Sequence, residues 1–472
     1  MWFNSFGFWL FFALVALVYS RLRLAGQNRW LLAASYFFYA CFDWRFLSLI
    51  FFCTALNYHA GLKIAAAQDL RQRKFWLGWS LLISLFVLGV FKYLGFFTRE
   101  LSALLLNFGV LETPWILHIL LPAGISFFTF HALSYTIDVY RGHTTVSRNF
   151  VEFALFISFF PQLVAGPINR STLLLPQMAK PRPPCDARRF REGLYAILTG
   201  LFLKIVIADN MAWLAGHVFN SDPQSLAGSE VLLGVYAFAF QIYGDFAGYS
   251  SIACGTACWL GFDLMGNFRR PYFATSPQDF WQRWHISLST WLRDYLYIPL
   301  GGNRGGKWAT YRNLLITMLL GGLWHGAAWT FLVWGGIHGL WLAFHRAFSR
   351  GGQPTSSPAP LWLTGVKMAI TFHLICLTWL VFRAETFTQA WALLLRLGAD
   401  WQLTAYAQTT LSLIAFFILP WLLFEAWLER RRDDLALLKV AWFWRALLYL
   451  YLVLMMLFFP PPMPAEFIYF HF

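Results

Sequence analysis

The chain has 472 residues, of which 59% are hydrophobic, 20% aromatic and only 12% charged. A soluble domain carries about twice that charged fraction, so the composition excludes an ordinary soluble protein and indicates an all-α polytopic membrane protein. The net charge of +14 does not indicate nucleic acid, because the basic residues cluster in short loops, as they do on the cytoplasmic side of membrane proteins. These loops are 21–29, 63–74, 180–191 and 430–432, which places the N-terminus outside.

Apolar runs predict membrane segments along most of the chain. They lie at 3–20, 30–42, 46–62, 75–91, 101–121, 122–140, 150–165, 192–208, 228–248, 313–347, 361–382, 410–428 and 439–459. The run 122–140 opens with a proline and contains Ser, Thr, His and Asp, which favours a helix that faces protein or a cavity. A flexible loop rich in Gly, Pro and Ser is expected at 351–360. We expect about eleven to thirteen transmembrane or re-entrant helices in a single domain, 1–472, with a catalytic core at about 120–345.

The least membrane-like stretch is 249–305, and it contains the first candidate functional residue. Ser276 is a suitable N-cap, and Pro277 suits the first helical position. Aromatic and apolar residues then recur at three- and four-residue spacing, so one helical face carries the single imidazole of His285. Arg293 and Asp294 disfavour an ordinary membrane span, and the pattern predicts a partly buried or interfacial helix that these two residues anchor.

The second candidate is His325, in the run Gly321-Gly-Leu-Trp-His-Gly. A lone histidine in an apolar helix is more often a packing residue than a catalyst, and most of the eleven histidines are interpreted in that way. His285 and His325 differ because each follows a tryptophan, and His325 has glycines nearby that admit a substrate or another backbone. His338 would lie about 20 Å from His325 on a continuous helix, too far to share one small site unless the helix breaks.

The sequence offers no metal or cofactor motif. No two histidines are three or four residues apart, and there is neither a nucleophile elbow nor a nucleotide-binding glycine loop. Cys254 and Cys258 share a helix face, where small residues at a helix contact are the simpler interpretation. We therefore expect no metal and no bound cofactor. An enzyme with a histidine but no evident nucleophile suits direct acyl transfer between two bound substrates.

A known family pattern matches the segments 38–45, 121–130, 160–168, 241–250, 267–272, 280–304, 322–326 and 467–470. These segments resemble the membrane-bound O-acyltransferase family, most closely its bacterial alginate O-acetyltransferase branch, with the teichoic-acid D-alanyl transfer protein as a relative. They cover nearly the whole chain, and the 280–304 block is the most specific.

The resemblance implies a ring of tilted helices around a thin central floor, with funnels on both sides. It implies that His325 is the catalytic histidine in the membrane and that His285 is the second active-site histidine, on the cytoplasmic side. Acetyl-CoA is then the expected donor. Basic residues around 180–191 or 304–307 are candidates to attract its phosphates from the cytoplasm, and positive-inside topology explains these residues equally well. The acetyl group would cross the bacterial inner membrane to periplasmic partner proteins that pass it to a polysaccharide. Membrane lipid is the surrounding partner, and no nucleic acid is expected.

Each candidate residue has an expected role in the reaction. His325 is expected to act as general base, and His285 is expected to position or polarise the donor. Trp281, Trp284, Trp324 and Asp245 are expected to shape a substrate tunnel, as is Trp329.

Both the polysaccharide and the class of protein have alternatives. The family pattern usually has Ser and Asp where this chain has Ala247 and Ser251, so another exopolysaccharide such as cellulose remains open beside alginate. The rival classes are a transporter or flippase of an acylated carrier, with the histidines as proton relays, and a purely structural subunit of a polysaccharide synthase. The lack of an evident inverted repeat and the 280–304 block favour the enzyme.

Overall fold

The computed structural model describes residues 1–115, 117, 119–164, 166–348, 360–461 and 467–468. This described part of the chain is helical and contains no strand. The predicted loop at 351–360 lies outside it except for its last residue. Contacts divide the chain into two compact units, one of residues 1–193 and 253–265 and the other of residues 194–252 and 266–472. The single-domain organisation stays a prediction.

Among its described residues, the first unit contains eight complete helices. They are α1 (Phe6–Tyr19), α2 (Leu24–Asp43), α3 (Leu47–Ala66), α4 (Leu70–Asn107), α5 (Ile125–Arg141), α6 (Phe150–Ser158), α7 (Phe160–Leu163) and α8 (Ser171–Met178). The predicted spans at 3–20, 30–42, 46–62 and 122–140 each correspond to one of these helices.

A buried asparagine joins three helices of this unit. The side-chain oxygen of Asn57 on α3 accepts hydrogen bonds from Ser80 on α4 at 2.7 Å and from Thr136 on α5 at 2.8 Å. Its amide nitrogen donates to Ser84, again on α4, at 3.2 Å. Polar side chains bonded across helices in this way supply contacts that apolar surface does not supply in lipid.

One predicted boundary in this unit is wrong. Lys92, Arg99 and Glu100 were expected to form a loop between spans at 75–91 and 101–121, but α4 runs without interruption through all three. Hydropathy measures suitability for lipid, and a charged turn lowers it without ending a helix. No proline stops the helix anywhere in 70–107.

The second unit holds the candidate histidines. Its helices are α10 (Asp209–Phe219), α12 (Pro277–Arg283), α13 (Ile286–Leu292), α14 (Gly306–His325), α15 (Trp329–Phe348), α16 (Leu361–Arg383), α17 (Phe387–Leu397), α18 (Ala405–Arg431) and α19 (Trp442–Phe458). Two further helices, α9 (Ala187–Phe202) and α11 (Gly228–Trp259), contribute residues to both units. A π-helical turn at Leu203–Ala208 joins α9 to α10.

In the part of the chain that the structure describes, six continuous helical segments are long and apolar enough to cross a membrane. They are Leu24–Ala66, Leu70–Asn107, Ala187–Phe219, Gly228–Trp259, Leu361–Arg383 and Ala405–Arg431, with Phe6–Tyr19 and Trp442–Phe458 as shorter apolar helices. The chain is a multi-pass, all-helical membrane protein. The ring arrangement and the total of about eleven to thirteen segments stay predictions.

Glycines bring α14 and α15 into direct backbone contact. A Cβ added at Gly322 would lie 2.2 Å from the carbonyl oxygen of Phe331, and one at Gly335 would lie 2.3 Å from that of Met318. Glycine is required at both places because real Cβ atoms do not approach a carbonyl so closely. The run at 313–347 was expected to be broken at the Gly-Gly pairs 321–322 and 335–336. This prediction is wrong, because α14 and α15 are continuous through these pairs and the break between the two helices lies at 326–328.

Gly335→Ala is expected to destabilise the protein by about 1–3 kcal/mol, because the added methyl group has no room. Gly336→Ala is the matched control, since its Cβ would meet only a Leu319 methyl group, at 3.5 Å. Thermal unfolding of the purified protein in detergent should show a lower midpoint for Gly335→Ala alone. Equal midpoints for the two variants would contradict this account of the α14–α15 contact.

Candidate functional site

His285 lies at a break between two short helices, not on one continuous helix as predicted. The N-cap prediction is confirmed: Ser276 accepts from the Asp279 amide at 3.1 Å, and α12 begins at Pro277. α12 then ends at Arg283, and α13 begins only at Ile286. Between them His285 adopts a left-handed conformation with φ 43°. Such a conformation costs a non-glycine residue of the order of 1–3 kcal/mol and is typical of functional sites.

Asn267 explains the break. Its main-chain oxygen accepts from the Ile286 amide at 2.8 Å, which removes the hydrogen bond that would have continued the helix. Its side-chain oxygen accepts from the Ser287 amide at 3.2 Å and from the Ser287 hydroxyl at 2.9 Å. A residue eighteen positions earlier therefore determines where the helix stops. The local aromatic pattern carries no sign of it.

The imidazole of His285 is fully enclosed. It is 0% exposed, and its ring packs against Phe246, Phe268 and Trp324 at centroid distances of 4.5, 6.3 and 5.7 Å. Nδ1 lies 3.1 Å from the side-chain oxygen of Asn267, whereas Nε2 is buried without a hydrogen-bond partner in the described structure. His285 lies outside the six helical segments that could cross a membrane. Burial lowers the pKa of its imidazole to about 3. The ring is therefore neutral at physiological pH.

His325 lies beside it. It is the last residue of α14, is 3% exposed, and its ring centroid is 6.4 Å from that of His285. Trp324, Trp334 and Phe382 surround it at 5.1, 5.2 and 5.5 Å. Two imidazoles predicted independently from the sequence are thus neighbours in one aromatic enclosure, although forty residues separate them.

The glycine after His325 admits an aromatic side chain. A Cβ at Gly326 would lie 2.0 Å from a ring carbon of Phe331. Gly322 serves one of the two uses foreseen for the glycines of this run, the close approach of another backbone, whereas Gly326 makes room for a side chain.

His338 is a fully bonded packing residue. Its Nδ1 accepts from the indole of Trp281 at 3.3 Å, and its Nε2 lies 3.1 Å from the hydroxyl of Thr378. That hydroxyl donates its own proton to the Ile375 carbonyl, so Nε2 of His338 carries the ring proton. The helix does break between His325 and His338, and both rings pack on Trp334.

The predicted tunnel tryptophans occupy different places. Trp324 contacts both histidines, and Trp281 lines a cavity. Trp284 is 0% exposed and packs against Phe280 and Trp379 in the aromatic core. Trp329 is 55% exposed, and its place in a tunnel stays a prediction.

Asp245 belongs to a buried charge cluster. The Nζ atom of Lys204 lies 2.8 Å from a carboxylate oxygen of Asp209 and 2.8 Å from one of Asp245. The other Asp245 oxygen accepts from the amide of Ile468 at 2.7 Å. All three charged side chains are at most 3% exposed. Lys204 and Asp209 went unnoticed in the sequence, although a lysine and an aspartate in an apolar run are themselves a signal.

The cluster is connected to the histidines through aromatic rings. Phe467 packs on Tyr249 and Phe246 at 4.5 and 5.9 Å, and Phe246 in turn packs on His285. The segment at 467–468 therefore belongs to the aromatic packing around His285.

Arginine–carboxylate pairs fix the loop before His285. Glu429 on α18 accepts from Arg270 at 2.7 Å and from Arg283 at 2.9 Å. Arg283 also bonds Asp279 at 2.7 Å. Arg293 and Asp294, which were expected to anchor the helix at the interface, bond each other at 2.6 Å.

A cavity of about 520 Å³ opens between α12, α13, α14 and α15. It is lined by Gln278, Trp281, Gln282, Ile286, Ser289, Thr290, Leu292, Arg293, Tyr297, Asn303, Leu314, Thr317, Met318, Leu342, His345 and Arg346. Ile286 adjoins His285 in the chain, and Trp281 packs on Trp334, which contacts His325. The basic side chains of its lining are Arg293, His345 and Arg346. The loops at 180–191 and 304–307 do not line this cavity, and their attraction of phosphates stays a prediction.

No group of three or more His, Cys, Asp or Glu side chains suited to a metal ion occurs among the described residues. Cys254 and Cys258 are free thiols that contact the main-chain oxygens of Met265 and Arg189.

These observations define a multi-pass helical membrane protein whose candidate site is a pair of buried imidazoles beside a partly basic cavity. A family model described as MBOAT, membrane-bound O-acyltransferase family, matches residues 46–382. The chain belongs to this family, and it is an O-acyltransferase.

Curated relatives cover most of the chain. The probable alginate O-acetylase AlgI of Azotobacter vinelandii is 45% identical over 84% of this chain and 78% of its own length. The peptidoglycan O-acetyltransferase of Helicobacter pylori is 39% identical over 76% of this chain and 72% of its own length. The teichoic acid D-alanyltransferase of Bacillus subtilis is 26% identical over 56% of this chain and 69% of its own length.

Lys204→Met is expected to destabilise the protein by about 3–5 kcal/mol, because it leaves two buried carboxylates without their cation. The variant that also carries Asp209→Asn and Asp245→Asn should recover much of this loss, since no buried charge then remains unpaired. The measurement is the thermal midpoint of each purified variant. A single variant as stable as the wild type would show that the cluster carries little energy.

Proposed function

We propose that the protein is an O-acetyltransferase that takes acetyl groups from cytoplasmic acetyl-CoA and passes them across the bacterial inner membrane for O-acetylation of an exopolysaccharide such as alginate. The observation that carries the proposal is the buried pair of histidines, His285 and His325, beside a cavity with basic side chains. The relatives named as acetyl-transferring enzymes support acetyl as the transferred group.

The site favours direct transfer. Ser287 is the hydroxyl beside His285, but its proton is donated to Asn267, so His285 does not activate it as a nucleophile. In the proposed reaction His325 accepts the proton of the acceptor hydroxyl while the hydroxyl oxygen attacks the thioester carbonyl. The new C–O bond forms, the C–S bond breaks, and the proton passes from His325 to the departing sulfur of coenzyme A.

Acetyl-CoA is proposed to occupy the cavity between α12 and α15. Its volume of about 520 Å³ is in the range of small-molecule sites, and its wall mixes apolar side chains with hydroxyls. Arg346 is an exposed basic residue of its lining, and guanidinium groups bind phosphate well. The thioester would then point toward Trp281 and the histidines.

The acceptor is proposed to be a periplasmic acetyl-accepting partner protein of a polysaccharide acetylation complex. Alginate is the first candidate for the final polymer because relatives named for alginate acetylation cover most of the chain. Cellulose or another cell-surface glycan remains an alternative acceptor because of Ala247 and Ser251. A carrier transporter would move the acyl group without cleaving a thioester, so release of coenzyme A separates the two classes.

His325→Ala is expected to lower partner-dependent release of coenzyme A from acetyl-CoA by about 10²- to 10⁴-fold, the usual contribution of a general base. The assay uses the purified protein with its candidate periplasmic partner. His143→Ala is the control, because His143 is 61% exposed. Release that persists in His325→Ala would refute the role of His325, and no release by the wild type would favour carrier transport.

Arg346→Gln is expected to raise KM for acetyl-CoA about tenfold, since a charge-assisted hydrogen bond contributes about 1.5–3 kcal/mol. With S-acetylpantetheine, which lacks the nucleotide phosphates, the same variant should match the wild type. Lys307→Gln tests the loop first expected to bind phosphate. A rise in KM for Lys307→Gln and none for Arg346→Gln would place the nucleotide outside this cavity.

A further inference from the structure

The side chain of Asn267 has a defined orientation. Its oxygen lies 3.2 Å from the main-chain nitrogen of Ser287. A main-chain N–H only donates, so the Asn267 atom facing it is the amide oxygen and not the nitrogen. The nitrogen then points to the Ser250 hydroxyl, at 3.0 Å. Both residues are buried, Asn267 at 3% and Ser250 at 4% exposure.

This orientation determines the tautomer of His285. Nδ1 of His285 lies 3.1 Å from the same Asn267 oxygen. If Nδ1 carried a lone pair, two acceptors would face each other in a buried site, which is unfavourable. Nδ1 therefore carries the ring proton and donates it to Asn267. In the neutral ring Nε2 is then the nitrogen with the lone pair.

We propose that Asn267, held by Ser250, is a positioning residue that keeps His285 in the neutral Nδ1–H tautomer, so that Nε2 accepts a hydrogen bond from an N–H or O–H group of a bound substrate. Nε2 is buried and has no partner in the described structure, and a buried acceptor of this kind requires a donor. This inference rests on the proposed acyl-transfer site. It refines the role of His285 there.

The tautomer excludes one of the two roles expected for His285. Polarising the thioester carbonyl requires a hydrogen-bond donor, and Nε2 in this tautomer is an acceptor only. Positioning of a substrate donor group remains. His338 provides a contrast within the same unit, because its Nε2 carries the proton and its Nδ1 accepts from Trp281.

The direct test is the nitrogen spectrum of the full-length protein labelled with ¹⁵N-histidine in lipid nanodiscs. Signals that disappear in His285→Gln belong to His285, and those that disappear in His338→Gln belong to His338. We expect His285 to be neutral and protonated at Nδ1, and His338 to be protonated at Nε2. An Nε2–H tautomer or an imidazolium at His285 would overturn the proposal.

The second test is kinetic. Asn267→Leu removes the acceptor, and we expect kcat for acetyl-CoA to fall about 10²-fold while KM changes by less than about threefold. Asn267→Asp keeps an acceptor at the same place and should retain kcat within about tenfold. Asn210→Ala is the control, since its amide donates to the carbonyls of Val206 and Phe459.

The two tests separate this inference from the proposed function. The spectrum of the wild type reports the tautomer whether or not acetyl transfer is observed, and it needs no folded variant of Asn267. An unchanged kcat in Asn267→Leu would overturn the positioning role, even if His325→Ala confirmed the reaction.

Discussion

The hydrogen bonds received by the side-chain oxygen of Asn267 are the constraint on which the candidate site depends. That one atom accepts from the amide and hydroxyl of Ser287 and from the ring of His285. The main-chain oxygen of the same residue takes the Ile286 amide. A helix broken at this point turns the His285 side chain out of the regular helical face. The strained backbone persists because these bonds compensate for it.

Charge pairs hold the surrounding loop in place. The Glu429 carboxylate accepts hydrogen bonds from Arg270 and Arg283, which lie on either side of the turn at 271–276. Shared by two guanidinium groups, it ties the segment before His285 to the end of α18. His325 is positioned differently, by the end of α14 and by the close contact of α14 with α15 that Gly322 and Gly335 permit. Two separate mechanisms, one polar and one steric, thus bring the imidazoles together.

Local pattern and hydropathy predicted those features of the structure that depend only on residues close together in the sequence. The cap at Ser276, most of the long apolar helices and the choice of His285 and His325 all came from short windows of sequence. The continuous helix through His285 was wrong because its end depends on Asn267, and the boundary near Lys92 was wrong because charge does not end a helix. The pairing of Lys204 with Asp209 and Asp245, and the basic lining of the cavity by Arg293 and Arg346, join separate helices. Such contacts have no signature in a local pattern.

Aromatic rings surround both histidines, and this enclosure suits acyl transfer. The rings of Phe246, Trp324, Trp334 and Phe382 exclude water, which would otherwise compete as acyl acceptor and hydrolyse the thioester. A carboxylate in such surroundings would incur a large desolvation cost, whereas a neutral imidazole accepts a proton with a smaller one. A water-free site in which a proton is transferred therefore favours histidine. In such a site one ring nitrogen must donate a hydrogen bond and the other must accept one. At His285, the bond to Asn267 makes Nδ1 the donor and leaves Nε2 as the acceptor.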